Sequence, residues 1–234
     1  MIVVGLLVAA AAFALSRGVI DRDALILIAV IVPSIILHEV AHGAVANYFG
    51  DDTAKRAGRL TLNPIAHIDP FGTIIMPAML AMSGLTPFGF AKPVPVNVGR
   101  LRHPRNNGLL VSLAGPATNF TISLIAAGLF RVLSPDALTN HDLFEGTQLT
   151  ILGEFIVGFG VLNVFLGAFN LLPVPPLDGS AFLERALPQS MWPSYLRFRR
   201  YSMFLVIIVV FWFPGVIQAV TDPAYDLWVR VAGG

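Results

Sequence analysis

The sequence predicts an all-α polytopic membrane protein with about five to six transmembrane helices, and three observations carry that expectation. Hydrophobic residues make up 56% of the 234-residue chain and charged residues only 12%. Mean hydropathy is +0.75, which leaves too little polar surface for a soluble domain of this length. The apolar residues are gathered into runs, several of which reach the 20 or so residues that a helix needs to cross hydrocarbon.

The runs can be taken in order. Residues 2–15, IVVGLLVAAAAFAL, read as a short first span. No positive stretch precedes them, and the flank SRGVIDRD lacks the small-x-small pattern of a cleaved signal. Residues 24–49 form the next span. The following loop contains Arg59–Leu62, read as a small membrane-associated β element, and turn signals at Asn63-Pro64 and Asp69-Pro70. Residues 73–98 are apolar but interrupted by Pro77, Gly84, Pro87, Gly89, Pro93 and Pro95. Such a segment either crosses fully or is re-entrant, because irregular backbone at membrane depth must be buried in protein or line a wet cavity. Residues 108–133 and 149–172 are two clear spans. Residues 173–200 are a polar connection: the prolines keep 173–176 extended, SAFLERAL suits a short helix, and RFRR is a basic interfacial anchor. A last span covers 202–220. The whole chain, 1–234, reads as one integral membrane domain.

The chain has no cysteine, which removes disulfides, thiolate metal ligands and a cysteine nucleophile. A net charge of +1 argues against a nucleic-acid partner. There is no internal repeat and no low-complexity linker.

The second span carries SIILHEVAHGAV, with His38, Glu39 and His42 in otherwise apolar sequence. With 5 His and 4 Glu in the chain, random placement yields about 0.002 copies of HExxH, so accident explains it poorly. On a helix, positions i and i+4 lie about 40° apart. Both imidazoles therefore project from one face and can bind one metal ion, with Glu39 near a water on that metal. Zinc hydrolases use two such histidines, a third protein ligand and an open position. The metal acidifies the water, and the glutamate acts as general base. Candidates for the third ligand are Asp178, His67 and Asp69; spacing does not choose among them.

Residues 170–179 read NLLPVPPLDG, fitting N-x-x-P-x-P-x-L-D-G, and the middle span contains AGPATNF. With HEVAH on a membrane helix, this combination resembles the site-2 protease family of intramembrane zinc metalloproteases. The resemblance covers about 24–180, the expected catalytic core. It implies one Zn2+ per chain on His38, His42 and Asp178, with Glu39 as catalytic base. It aligns Gly115, Pro116 and Asn119 with the family's G-P-x-x-N segment, and sets Asn170 and Pro173 near the substrate. It implies hydrolysis of peptide bonds in or near the transmembrane segments of membrane-protein substrates, as in regulated intramembrane proteolysis, with the lipid bilayer as the other partner. Many relatives carry a PDZ or CBS domain; no stretch here is long enough for either, so the chain looks like a short prokaryotic form. The alternative is a metal-binding transporter or a non-proteolytic membrane chaperone on the same fold. A transporter usually has paired repeats and several intramembrane carboxylates, and the sequence has neither.

If Asp178 and His42 share a metal, the chain must leave the bilayer on one side after both helices. Two clear spans lie between them, so 73–91 is expected to be re-entrant. Eleven of the 15 Lys and Arg then fall on the side of the site, which the positive-inside rule assigns to the cytoplasm. The expectation is a multi-pass protein of the cell membrane with its active site toward the cytoplasm. Asn119 reads either as an interhelical hydrogen bond or as support for the site, and Asn163 as bonding a neighbouring helix. His67 reads as a loop residue, Glu154 as solvated, and His103 and His141 as surface.

Overall fold

The structure, a computed structural model, describes residues 22–76, 79–80, 83, 89–133 and 149–233. The expected first span at 2–15, His141, and residues 77–78, 81–82 and 84–88 of the proline-rich segment lie outside the described residues. Seven α-helices are described: α1 (Arg22–Tyr48), α2 (Thr53–Arg56), α3 (Pro104–Leu133), α4 (Ile151–Asn170), α5 (Ser180–Ala186), α6 (Trp192–Trp212) and α7 (Pro214–Gly233). Among the described residues, three helices are long and apolar enough to cross a membrane, namely Leu25–Tyr48, Pro104–Leu133 and Ile151–Asn170. The bent pair α6–α7 brings the number to four if it acts as one span. The described part thus supports three to four spans rather than five to six.

Hydrogen bonds at the helix ends fix the course of the chain. The Arg102 N–H donates to the Phe49 carbonyl at 3.0 Å, joining the exit of α1 to the entry of α3. At the opposite end the Arg22 guanidinium meets Glu154 at 2.5 Å, joining the starts of α1 and α4. Glu154, expected to be solvated, is partly exposed and also pairs with Arg22. The three helices run up, down and up, and the loop after α4 emerges at the end of the bundle where α1 finishes.

The helices meet along inclined ridges. Val30, Ser34, His38, His42 and Ala46 are buried on α1, and Asn107, Val111, Gly115, Asn119, Ser123 and Ala127 on α3. Steps of four advance a residue about 400° around the axis, so each set keeps to one ridge. On α4 the buried Gly153, Gly160 and Gly167 recur every seven residues, and such small residues let membrane helices approach closely. Gly160 receives Trp228 of α7: a Cβ there would lie 2.1 Å from the indole ring. The indole N–H donates to the Ser123 carbonyl at 3.0 Å.

Two expected elements differ. Arg59–Leu62 is not a strand, and no strand occurs among the described residues. Its polar groups find other partners: the Arg59 guanidinium donates to the Lys92 carbonyl at 2.6 Å, and His67 Nε2 lies 2.9 Å from the Thr61 carbonyl. The expected continuous span 202–220 is broken at Phe213, with φ −130° and ψ 55°, and α6 and α7 are bent by 78°. Pro214 causes the break, because it lacks an N–H and disfavours helical backbone in the residue before it.

The described ends of the proline-rich segment meet. The Phe90 N–H donates to the Gly72 carbonyl at 3.1 Å, Thr73 Oγ1 donates to the Phe90 carbonyl at 3.0 Å, and the Lys92 N–H donates to the His67 carbonyl at 3.0 Å. A one-way helical crossing of those 18 residues would part its ends by about 27 Å.

Candidate metal centre

His38 and His42 sit one above the other on the buried ridge of α1, 7% and 8% exposed. Their Nε2 atoms are 3.0 Å apart. Asp178 Oδ2 lies 3.1 Å from Nε2 of His38 and 3.3 Å from Nε2 of His42. Of the three candidates for a third ligand, Asp178 is the one brought to the histidines. His67 is buried in its loop against Thr61. Asp69 Oδ1 caps the turn that follows, accepting from the N–H groups of Phe71 and Gly72.

The outer nitrogens decide what the inner ones can do. His42 Nδ1 is 2.7 Å from the Val111 carbonyl, which can only accept, so this nitrogen carries the proton. His38 Nδ1 is 2.5 Å from Asn119 Oδ1, likewise an acceptor. In neutral imidazoles both Nε2 atoms therefore hold lone pairs, and these point at one another and at a carboxylate. Asp178 Oδ2 is buried without a hydrogen-bond partner. Three electron-rich atoms within 4.8 Å of one another repel unless a cation lies among them, so the donor set fits a divalent metal. Two nitrogens and one carboxylate oxygen are a usual zinc set.

Backbone geometry makes the room. Gly115 of α3 faces the pair: a Cβ there would lie 2.5 Å from His38 Cε1 and 2.5 Å from His42 Nε2. Asp178 is delivered by a series of tight turns. The Gly179 N–H donates to the Asn170 carbonyl at 2.7 Å, and the Leu177 N–H to the Val174 carbonyl at 2.9 Å. Residues 173–176, expected to be extended, are coiled into these turns, because Val174 is bonded through both its N–H and its carbonyl. Gly179 is required by close approach, since a Cβ would lie 2.1 Å from the Leu171 carbonyl oxygen.

The irregular segment beside the site is 91–97 instead. Its Val94 N–H donates to Glu39 Oε2 at 2.7 Å. Its far end is tied by Asp51, buried just beyond α1, which accepts the Asn97 N–H at 2.6 Å and the Thr53 N–H at 3.1 Å. Burial raises the Asp51 pKa, and the hydrogen bonds from Thr53 and Asn97 outweigh that effect and hold it below the ordinary carboxylate value. Glu39, His38, His42, Asp178 and Asn170 line one cavity of about 540 Å³.

The other expected residues are distributed as follows. Asn119 is fully buried, bonded to His38 and to Asn163. Asn170 folds back onto its own helix, donating to the Leu166 carbonyl at 3.0 Å, at the cavity wall. Pro173 is exposed and is not among the residues lining the cavity. His103 is exposed. Sequence reasoning did not reach the Val111 carbonyl, Ser34 or Val94. Ser34 carried a signal, lying one helical turn before His38.

A cluster of metal-ligand atoms set among apolar helices is the architecture of a membrane-embedded metallohydrolase. The chain belongs to peptidase family M50, whose family description matches residues 26–213. It is 40% identical over 208 residues to the "Putative zinc metalloprotease YwhC" of Bacillus subtilis, covering 89% of this chain and 86% of that relative. It is 30% identical over 178 residues to the "Putative zinc metalloprotease Rip2" of Mycolicibacterium smegmatis, covering 76% of this chain and 63% of that relative. No solved structure matches the chain at a significant level.

Proposed function

We propose that the protein is an intramembrane zinc metalloendopeptidase that cuts peptide bonds in or near the transmembrane segments of other membrane proteins. The observation that carries this reading is the convergence of His38 Nε2, His42 Nε2 and Asp178 Oδ2, with Glu39 lining the same cavity. His38, His42 and Asp178 would hold the ion. When bound, zinc supplies Lewis-acid chemistry, polarising a scissile carbonyl and acidifying water. Glu39 acts as the base: a carboxylate oxygen takes a proton from the attacking water and delivers it to the departing amine nitrogen. The Val94 N–H steadies the other end of that work by holding Oε2. Asn170, at the cavity wall, is suited to hold a substrate carbonyl through an amide N–H. Pro173, being exposed, would support the turn that carries Asp178 rather than touch substrate.

The surroundings support this substrate class. Helices α1, α3 and α4 are apolar enough to lie in lipid, which would bring the transmembrane segments of membrane proteins alongside the site. A helical substrate hides its carbonyls and must unwind locally before attack. The meeting of Gly72 with Phe90 favours a re-entrant segment, with the site opening on the side rich in Lys and Arg, the cytoplasmic face of the cell membrane. Regulated intramembrane proteolysis is the role that fits these properties.

The test is cleavage of a model single-span substrate in detergent or liposomes. Glu39→Gln keeps size and polarity but removes the base, and is expected to abolish product while leaving the fold intact. Undiminished cleavage by this variant would refute the mechanism.

A further inference from the structure

Four polar side chains buried between α1, α3 and α4 form one continuous chain of hydrogen bonds. His38 Nδ1 lies 2.5 Å from Asn119 Oδ1. Asn119 Nδ2 donates to Asn163 Oδ1 at 2.6 Å. Asn163 Nδ2 donates to Ser34 Oγ at 2.8 Å, and Ser34 Oγ donates to the Val30 carbonyl at 2.7 Å. Ser34, Asn119 and Asn163 are at most 1% exposed, so water does not compete.

The direction of this chain is forced from its far end. The Val30 carbonyl only accepts, so the Ser34 hydroxyl spends its proton there and meets Asn163 with a lone pair. The amide of Asn163 must then turn its NH2 toward Ser34. A second acceptor requires the same orientation, because Asn163 Nδ2 also donates to the Phe159 carbonyl at 2.9 Å. Asn163 thus offers its oxygen to Asn119, which must give its NH2 and turn its own oxygen to His38. Only a protonated Nδ1 satisfies that oxygen.

We infer that Ser34, Asn163 and Asn119 are positioning residues that fix the Nδ1–H tautomer of His38, and so keep its Nε2 lone pair directed into the metal centre. The relay begins and ends on α1, one turn apart, and passes through the other two apolar helices. It therefore couples the ligand state of His38 to the assembly of the bundle. Outer partners that orient metal-bound histidines commonly change metal affinity by roughly tenfold to a hundredfold when removed. Asn163 touches neither the cavity nor a ligand, yet it sets the orientation of the group that does.

The inference rests on the metal-centre reading, and the test separates the two. Wild type, Ser34→Ala and Asn163→Leu are purified in detergent. Zinc affinity is measured by competition with a chromogenic chelator, and the metal-free proteins are examined by NMR with 15N-labelled histidine. Metal-free wild type is expected to carry the His38 proton on Nδ1. Asn163→Leu frees the Asn119 amide to rotate, and is expected to populate the Nε2–H form and lose roughly tenfold to a hundredfold in zinc affinity. Ser34→Ala preserves volume and leaves the Phe159 carbonyl to orient Asn163, so its affinity is expected to fall in the same direction by less than that of Asn163→Leu. If Asn163→Leu does not fold, the tautomer of metal-free wild type decides. An Nε2–H tautomer in wild type, or unchanged tautomer and affinity in folded Asn163→Leu, overturns the relay. Wild type that binds no zinc while holding the Nδ1–H form overturns the metal reading instead.

Discussion

Gly115→Ala gives the sharpest steric test of the site. In the middle of a helix, replacing glycine by alanine normally stabilises by about 0.5–1 kcal/mol. Here the new methyl would lie 2.5 Å from His38 Cε1, 2.5 Å from His42 Nε2 and 2.6 Å from His38 Nε2. An ordinary carbon contact is about 3.5 Å or more, so the rings must retreat by about 1 Å. They cannot do so freely, because Asn119 and the Val111 carbonyl hold their outer nitrogens. Overpacking of this kind costs about 1–3 kcal/mol. Metal–ligand distances tolerate only about 0.2 Å, so a loss of zinc affinity of roughly tenfold to a hundredfold is expected at about 1.4 kcal/mol per decade. The assay is chelator competition in detergent. Gly128→Ala on the same helix is the control, since a Cβ there meets nothing within 4 Å, and it is expected to bind zinc as wild type does. Equal zinc affinity in Gly115→Ala and Gly128→Ala would refute the reasoning.

Three further outcomes are expected. Gly179→Ala sets a methyl 2.1 Å from the Leu171 carbonyl oxygen; the turn carrying Asp178 must shift, so zinc content should fall while circular dichroism keeps its helical signal. Trp228→Ala empties the slot at Gly160 and removes the bond to the Ser123 carbonyl, and should destabilise by about 3–5 kcal/mol, read from denaturant unfolding. The Asp51 pKa is lowered in the folded protein, so its stabilising effect is full above the unfolded carboxylate value and is lost as pH falls through the folded value. Thermal unfolding followed downward from pH 5 should show this acid-side loss, and Asp51→Asn should remove that part of the pH dependence.

The apolar bundle and its polar centre were legible in the sequence for different reasons. Apolar runs of span length announce α1, α3 and α4, because hydrocarbon demands that length. The i, i+4 histidines announce the metal face because helix geometry alone joins them. Asp178 was one of three candidates by spacing and came from resemblance, since only the folded loop after α4 brings it across 136 positions of sequence to His42. The break at Phe213 was hidden by hydropathy, which counts Pro214 as one more residue in an apolar run. The β element at Arg59–Leu62 was misread because its polar groups are satisfied by Lys92 and His67, partners that no local pattern reveals. The Val111 carbonyl and the Gly115 gap are backbone features, visible only when two ridges meet.

The central claim is that His38, His42 and Asp178 hold one zinc ion on which peptide hydrolysis depends. The most direct measurement is zinc per chain, by mass spectrometry of purified wild type, Glu39→Gln and Asp178→Ala after exposure to a mild chelator. One zinc per chain is expected in wild type and in Glu39→Gln, with little retained by Asp178→Ala. Wild-type zinc content in Asp178→Ala, or no zinc in any of the three, would contradict the account.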